Sequence, residues 1–225
     1  MRKLKFFAFI LLAGLVMAGC SNNGSTALDN SGSQNSGITT EEKENTEGDN
    51  GNNQSEISMI DFFLPDGSKA HYLGEGNEYA ELDIEVAHPY KDYVIVHENN
   101  GGALVRHIYK IDKDKIEILE KNQIDYEDDF PTLDELNTMQ PSGVYLQKPL
   151  TVGTTFNNWT IVQTDVSIET PYKKFENAFV IEETGKDFIN RKYFVEGYGE
   201  VKRESVMHLE DGDYVVTSTL KAVDQ

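Results

Sequence analysis

Residues 81–88 read ELDIEVAH, and this stretch decides the fold class. Leu82, Ile84 and Val86 fall on one face of an extended chain, and three acidic residues fall on the other. A period of two is typical of a half-buried β-strand, because successive side chains of a strand point to opposite faces. The stretch therefore predicts a strand that packs one face on a core and turns the other to water.

Similar runs recur along the chain. They are rich in β-branched and aromatic residues and span 93–96, 103–111, 115–120, 159–168, 175–181, 188–195, 201–209 and 214–220. Turn-forming segments, rich in Gly, Asn and Asp, stand at 65–68, 99–102, 112–114, 183–186 and 211–213 and suit hairpin connections. We therefore expect a mainly β fold: one curved antiparallel sheet of roughly nine to eleven strands, a half-barrel or open barrel-like sheet, since so many strands do not stay flat.

One segment departs from this pattern. Residues 122–142 are acidic, and Pro131 and Pro141 bracket a short stretch in which Glu135 follows Thr132 by three positions. This spacing is typical of a capping box at a helix N-terminus. We expect a single short helix, over one end of the sheet.

The N-terminus carries an export signal. Basic residues at 2, 3 and 5 precede an apolar run from 6 to 18 that stops at Gly19 and Cys20. The run is shorter than the roughly 20 residues of a spanning helix but suits a signal-peptide core. Ala18 and Gly19, directly before the only cysteine, resemble the lipobox of bacterial lipoproteins. An ordinary secretory signal and an uncleaved anchor helix are the alternatives.

The lipobox resemblance implies cleavage between Gly19 and Cys20 and lipidation of Cys20, with fatty acyl chains such as palmitate. Two acyl chains hold a protein stably on a bilayer. We therefore expect a signal peptide at 1–19 and a protein anchored through Cys20 on the extracytoplasmic face of the cell membrane. Residues 20–56 form the lipidated cysteine and a disordered acidic linker, too poor in apolar residues to repay ordering entropy. Residues 57–225 form a single β-rich domain without cysteine.

Charge and motifs exclude several functions. The chain has 39 Asp and Glu against 20 Lys and Arg, a net charge of -19, which argues against nucleic acid as a partner. No Gly-x-Ser-x-Gly motif and no cysteine after Cys20 supplies a nucleophile. We therefore expect no enzyme activity and no cofactor.

Two groups of residues carry side chains that can bind a metal ion. If the hairpin loop has two or four residues, His97 lies opposite Leu104 and His107 lies opposite Val94. The two histidines then point to opposite faces of the sheet and cannot share a metal, whereas a three-residue loop would place them on the same face. The acidic loop of Asp125, Glu127, Asp128 and Asp129 has the oxygen ligands that Ca²⁺ prefers but lacks EF-hand spacing. A solvated loop is the preferred interpretation, and no metal site is predicted.

Several motifs resemble those of a family of lipoproteins from Gram-positive bacteria (Bacillota) that has no assigned activity. They are DFFLP at 61–65, GEGNEYA at 74–80, NNGG at 99–102, LTVGTTF at 150–156, ETPY at 169–172, FENA at 175–178 and YFVEGYGEVK at 193–202. The resemblance implies a β-rich extracytoplasmic domain on a lipid anchor, similar to the curved half-barrels that carriers of lipid or lipoprotein use. It brings no catalytic residue.

Three strands carry apolar residues on both faces, at 93–96, 159–162 and 192–195. Both faces of such a strand must be shielded from water, one by the core and the other by a second element or a ligand. We therefore expect a non-catalytic binding or carrier domain for an apolar small molecule or an envelope protein. A structural or assembly component of the cell envelope that acts by protein contact is the alternative. A hydrolase is a third hypothesis, less favoured.

Overall fold

The structure is a computed structural model that describes residues 57–125 and 130–224. These residues form a short 3-10 helix (Met59–Phe62), twelve strands and one α-helix, α1 (Leu133–Thr138). The strands are β1 (Lys69–Glu75), β2 (Leu82–Tyr90), β3 (Tyr93–Asn99), β4 (Leu104–Ile111), β5 (Lys115–Ile124), β6 (Gly143–Gln147), β7 (Thr155–Phe156), β8 (Trp159–Glu169), β9 (Lys174–Thr184), β10 (Phe188–Val195), β11 (Gly199–Leu209) and β12 (Gly212–Asp224).

All twelve strands form one antiparallel sheet in the order β6-β5-β4-β3-β2-β1-β12-β11-β10-β9-β8-β7. The two outermost strands meet across a seam, where Asn157 Nδ2 donates to the carbonyl oxygen of Val144 at 2.9 Å. The sheet is therefore a nearly closed barrel, and the predicted mainly β, curved antiparallel fold is confirmed. Register irregularities of the β-bulge type in the pairs β1–β12, β4–β5 and β10–β11 increase the local twist and help it close.

The described sheet has more strands than the sequence predicted. Strand β1 contains no β-branched residue, β6 has five residues and β7 has two, so none carries a strong period-two pattern. Residues 65–68 do form a turn, in which Ser68 N donates to Pro65 O at 3.1 Å. This turn joins the N-terminal segment to β1 and is not a hairpin.

Strand pairing defines two ends of the barrel. The turns β2–β3, β4–β5, β8–β9 and β10–β11 lie at one end, which we call the lower end. The turns β1–β2, β3–β4, β9–β10 and β11–β12 lie at the other, the upper end. The described chain begins at the lower end, where Lys148 Nζ donates to Ile57 O at 2.7 Å and Gly197 N donates to Asp61 O at 2.6 Å.

Residues 57–64, which we call the plug, fill the lower interior. Met59, Phe62 and Leu64 are buried in the main core, and Phe62 meets Phe179 edge-on with ring centroids 5.4 Å apart. Burying one such side chain stabilises the fold by about 1.5–3 kcal/mol. The plug is therefore a part of the barrel core.

Strand β3 has two covers, as its sequence predicts. Val94 and Val96 face the interior core, whereas Tyr93 and Ile95 face outward and pack in a second cluster with Leu136 of α1. The short helix therefore covers the outer face of β3, β4 and β5 rather than one end of the sheet.

The capping box that predicted α1 is present. Thr132 N donates to Glu135 Oε2 at 2.8 Å, and Glu135 N donates to Thr132 Oγ1 at 3.3 Å. Two backbone donors at the helix start are thus satisfied. The predicted helix start at Thr132 is confirmed.

Candidate binding site

The inner face of the barrel changes from apolar to charged between its lower and upper ends. In β3 the inward positions read Val94, Val96 and then Glu98. In the neighbouring strands His107 of β4 lies opposite Lys121 of β5, and both line the interior. Period-two alternation thus aims a belt of charged residues into the barrel above its apolar core.

Six titratable side chains make up this belt, which we call the interior cluster. They are Glu98, His107, Lys121, Lys192, Glu200 and Arg203, and they come from β3, β4, β5, β10 and β11. Three are cations and two are carboxylates, so with a neutral histidine the cluster carries one net positive charge. This sign is opposite to that of the whole chain, which carries -19.

Arg203 binds both carboxylates of the cluster. Its Nη2 donates to Glu98 Oε2 at 2.9 Å and its Nε donates to Glu200 Oε1 at 2.5 Å. Glu200 also accepts from Lys192 Nζ at 2.9 Å and from Tyr145 OH at 3.2 Å. Burial alone would raise the pKa of Glu200, but Arg203 and Lys192 lower it to about 2. The pKa of Glu98 is also lowered, because Arg203 outweighs the opposing effect of burial. Both carboxylates are therefore ionised near neutral pH.

Three phenols line the cluster. Tyr72 OH donates to the backbone oxygen of Glu200 at 2.6 Å. Burial raises the pKa of Tyr72, Tyr109 and Tyr145 above the ordinary value, and the charge of Glu200 raises each further. These hydroxyls stay protonated and act as neutral hydrogen-bonding groups.

Two groups of the cluster keep unused hydrogen-bonding capacity. His107 Nδ1 lies 3.4 Å from Tyr109 OH, and His107 Nε2 has no hydrogen-bond partner among residues 57–125 and 130–224. Burial lowers the pKa of His107 to about 4 against the attraction of Glu98, so the ring is neutral. Lys121 makes no hydrogen bond or ion pair within the described part of the chain, and it is open to solvent on one side. Partial burial, followed by repulsion from Lys192, lowers its pKa against the attraction of Glu98.

Two adjoining cavities lie at the level of the cluster. The lower one has a volume of about 70 Å³ and the upper one about 200 Å³, and both are lined by His107, Tyr109, Lys121, Tyr145 and Lys192. The upper cavity also contacts Asn157 and Trp159. The side chains of Arg203 and Lys192 remain 33% and 25% exposed. Solvent therefore reaches the cluster.

The cluster is better suited to electrostatic binding than to proton transfer. A general acid or base works best with a pKa near the operating pH. The pKa of Glu200 is about 2 and that of His107 about 4, both well below neutral pH. Burial raises the pKa of the phenols above its ordinary value, so they are poor bases as well. The cations, the neutral imidazole and the phenol hydroxyls are groups that can pair with or hydrogen-bond to a polar ligand.

Comparison with known proteins adds two structural neighbours. No family model and no curated protein matches the sequence. A proposed exported protein with a YmcC-like fold from Bacteroides fragilis aligns at a TM-score of 0.46 and 12% identity, over 75% of this chain and 99% of its own. A proposed lipoprotein from Parabacteroides distasonis aligns at 0.42 and 12% identity over the same shares. Because no family model and no curated protein matches, the resemblance to lipoproteins of Gram-positive bacteria stays a prediction.

The predicted anchor lies outside the described residues, as Gly19 and Cys20 both precede residue 57. No helix in the described part of the chain is long and apolar enough to span a membrane. Of the acidic loop, Asp125 is an exposed residue at the end of β5, whereas Glu127, Asp128 and Asp129 lie outside the described residues.

His97 and His107 point to opposite faces, as the hairpin parity predicts, but the register is shifted. His97 lies opposite Arg106 and His107 opposite Val96, two positions from the predicted partners. The loop has four residues, because the Asn100 side chain accepts from the backbone nitrogens of residues 102 and 103 and centres the turn there. Within residues 57–125 and 130–224, no three His, Cys, Asp or Glu side chains are grouped as a metal site would require.

The remaining histidines have structural partners. His71 Nδ1 lies 2.8 Å from Asp83 Oδ1, and His208 Nδ1 lies 2.8 Å from Asp213 Oδ1. His71 and Asp83 border a groove of about 400 Å³ on the outer face of the barrel. In this groove Lys69 pairs with Glu85 and His71 with Asp83, each across neighbouring strands.

Sequence reasoning missed the interior cluster. Glu98, Lys121, Lys192 and Arg203 read as solvent-facing charges because their strands also carry charges on the outer face. One sequence pattern in β3 indicated it: Glu98 follows the buried Val94 and Val96 at a spacing of two residues and therefore points to the same inner face. Assembling the cluster, however, required the approach of β11 to β3 across the barrel, which brings Arg203 to Glu98 and which no local sequence pattern specifies.

Proposed function

We propose that this protein is a lipoprotein anchored to the extracytoplasmic face of the cell membrane through Cys20, and that its barrel is a non-catalytic binding module for a small polar ligand. The observation that carries the proposal is the interior cluster, in which charged groups border solvent-accessible cavities above an apolar core. Sites for small molecules combine such a concave pocket with a few convergent polar groups.

A small polar ligand fits the interior better than the apolar ligand expected from the sequence. The plug occupies the apolar part of the barrel. The cavities of about 70 and 200 Å³ are smaller than the roughly 300–1,000 Å³ of sites for drug-sized molecules. Placing an alkyl chain beside Lys121 and Lys192 would also cost desolvation without any compensating bond.

The absence of catalysis is part of the proposal. Glu98 and Glu200 are held ionised by Arg203 and Lys192, and His107 is neutral with a pKa of about 4. Removing a proton from a substrate would require a base that is not already committed to a cation. These groups instead offer fixed charges and hydrogen bonds.

The test is to identify what the protein carries. The full chain is purified in non-ionic detergent, denatured with solvent, and the released small molecules are identified by mass spectrometry. We expect one polar compound in near-stoichiometric amount, and much less of it from the double variant Lys121→Met/Lys192→Met with a native circular dichroism spectrum. Equal amounts from both proteins, or no compound from either, would contradict the proposal.

A second candidate is an assembly component that acts by protein contact. Tyr79, Leu209, Tyr214 and Val215 are exposed on the β1–β2 loop and the β11–β12 hairpin, both at the upper end. Exposed apolar side chains grouped at one end are typical of contact surfaces. A stoichiometric protein partner, lost in Leu209→Asp, together with an empty interior would favour this function.

A further inference from the structure

We infer that the upper cavity recognises an anionic group of the ligand, a carboxylate or a phosphate, through Lys121, Lys192 and His107; this inference rests on the proposed function. The three side chains converge on one cavity of about 200 Å³ from β5, β10 and β4.

Lys121 is the first reason. It is a cation on the cavity wall with no hydrogen bond or ion pair among the described residues, whereas Lys192 is bonded to Glu200 and Arg203 to both carboxylates. Lys121 is open to solvent on one side. Its pKa is lowered, because partial burial and the charge of Lys192 outweigh the attraction of Glu98 and Glu200. An anion in the cavity would supply the missing opposite charge.

His107 is the second reason. His107 Nδ1 lies 3.4 Å from Tyr109 OH, and when this hydroxyl donates to Nδ1 the neutral imidazole carries its ring proton on Nε2. That Nε2 is buried and without a partner in the described residues, and buried donors are almost always paired. A ligand oxygen is an acceptor that would satisfy it.

The carboxylates of the cluster do not oppose this assignment. Glu98 and Glu200 share Arg203, and Glu200 also binds Lys192, so both carboxylates are paired with cations other than Lys121. The cluster as a whole keeps one positive charge. A cation would meet no free carboxylate in the described cluster, whereas an anion meets a free ammonium.

Trp159 provides a direct readout. It is the only tryptophan in the chain, it lines the upper cavity, and Lys192 Nζ lies 5.8 Å from its ring centroid. The full chain in non-ionic detergent is titrated at constant ionic strength with inorganic phosphate, with acetate and with glycerol. We expect a saturable change in tryptophan fluorescence with one or both anions and none with glycerol, and the tighter of the two anions names the source of the anionic group.

Variants connect the signal to the site. Lys121→Met should weaken anion binding by about tenfold, the effect of losing one charge-assisted hydrogen bond. Lys121→Arg, which keeps the charge, should bind within about threefold of the native protein. The matched control Lys202→Met removes an equal charge from the outer face, where Lys202 packs over Tyr193 at 5.3 Å, and should bind normally.

The outcomes separate the two proposals. Absence of saturation with both anions, saturation with glycerol, or equal weakening in Lys121→Met and Lys202→Met overturns the anionic assignment. If solvent extraction still releases a neutral polar compound that depends on the cluster, the proposed function stands and only this inference fails. If extraction releases nothing as well, both fail.

Discussion

Protonation of Glu200 should destabilise the protein in acid, and the loss can be worked out from its contacts. The side chain is 7% exposed and accepts bonds from Arg203 and Lys192, which lower its pKa from 4.5 to about 2 despite burial. At about 1.4 kcal/mol per pH unit, the difference contributes about 3 kcal/mol to the free energy of unfolding.

The sign follows from the direction of the shift. Because the pKa of Glu200 is lower in the folded protein than in the unfolded chain, the unfolded chain takes up the proton first as the pH falls. The contribution is therefore complete above about pH 5, declines by about 2 kcal/mol by pH 3, and is lost below pH 2.

The assay is urea denaturation, followed by circular dichroism, of the native protein and Glu200→Gln between pH 7 and pH 3. At pH 7 the variant should be less stable by about 3–5 kcal/mol, because Lys192 and Arg203 lose a buried partner. The gap should narrow by about 2 kcal/mol at pH 3. Glu176→Gln, which removes an exposed carboxylate paired with Lys174, should follow the native protein closely at every pH. A gap that stays constant or widens in acid would refute the reasoning.

Three further predictions follow from packing, backbone geometry and the anchor. Leu136→Ala should lower the free energy of unfolding by about 2–5 kcal/mol, because Leu136 is the buried contact of α1 with the outer face; a loss below about 1 kcal/mol in urea denaturation would mean that the helix is dispensable. Gly199→Ala should destabilise more than Gly197→Ala in the same measurement: both glycines have positive φ, but a Cβ at 199 would lie 2.4 Å from Phe62 O and one at 197 would contact nothing within 4 Å. Cys20→Ala should release the protein from the membrane fraction or leave an unprocessed precursor, and unchanged fractionation together with an unchanged mature mass would argue against lipidation.

The sequence predicted the fold class because much of its information is local. Alternation in β2, the hairpin turns and the capping box at Thr132 each depend on residues within a few positions of one another. Near closure of the barrel depends on distant contacts such as that between Asn157 and Val144. Such contacts leave no periodic pattern, so the sequence predicted curvature but not how nearly the sheet closes.

The interior cluster was beyond sequence reasoning for a different physical reason. A charge on a strand is ordinarily solvated, and burial becomes favourable only when a partner of opposite charge is placed within bonding distance. Arg203 and Glu98 are 105 positions apart in sequence, and only the assembled sheet brings them to 2.9 Å. The sequence did not predict the plug for the same reason, because residues 57–64 pack on strands that lie far from them in sequence.

The plug also determines how the barrel would carry mechanical load. Every residue that precedes the barrel, the proposed anchor site included, connects to it through Met59, Phe62 and Leu64, which lie in its core. A pull from that side would act on buried side chains first, so resistance to extraction and thermodynamic stability would depend on the same contacts. A truncation that begins at residue 65 would remove this connection and take Met59, Phe62 and Leu64 out of the core.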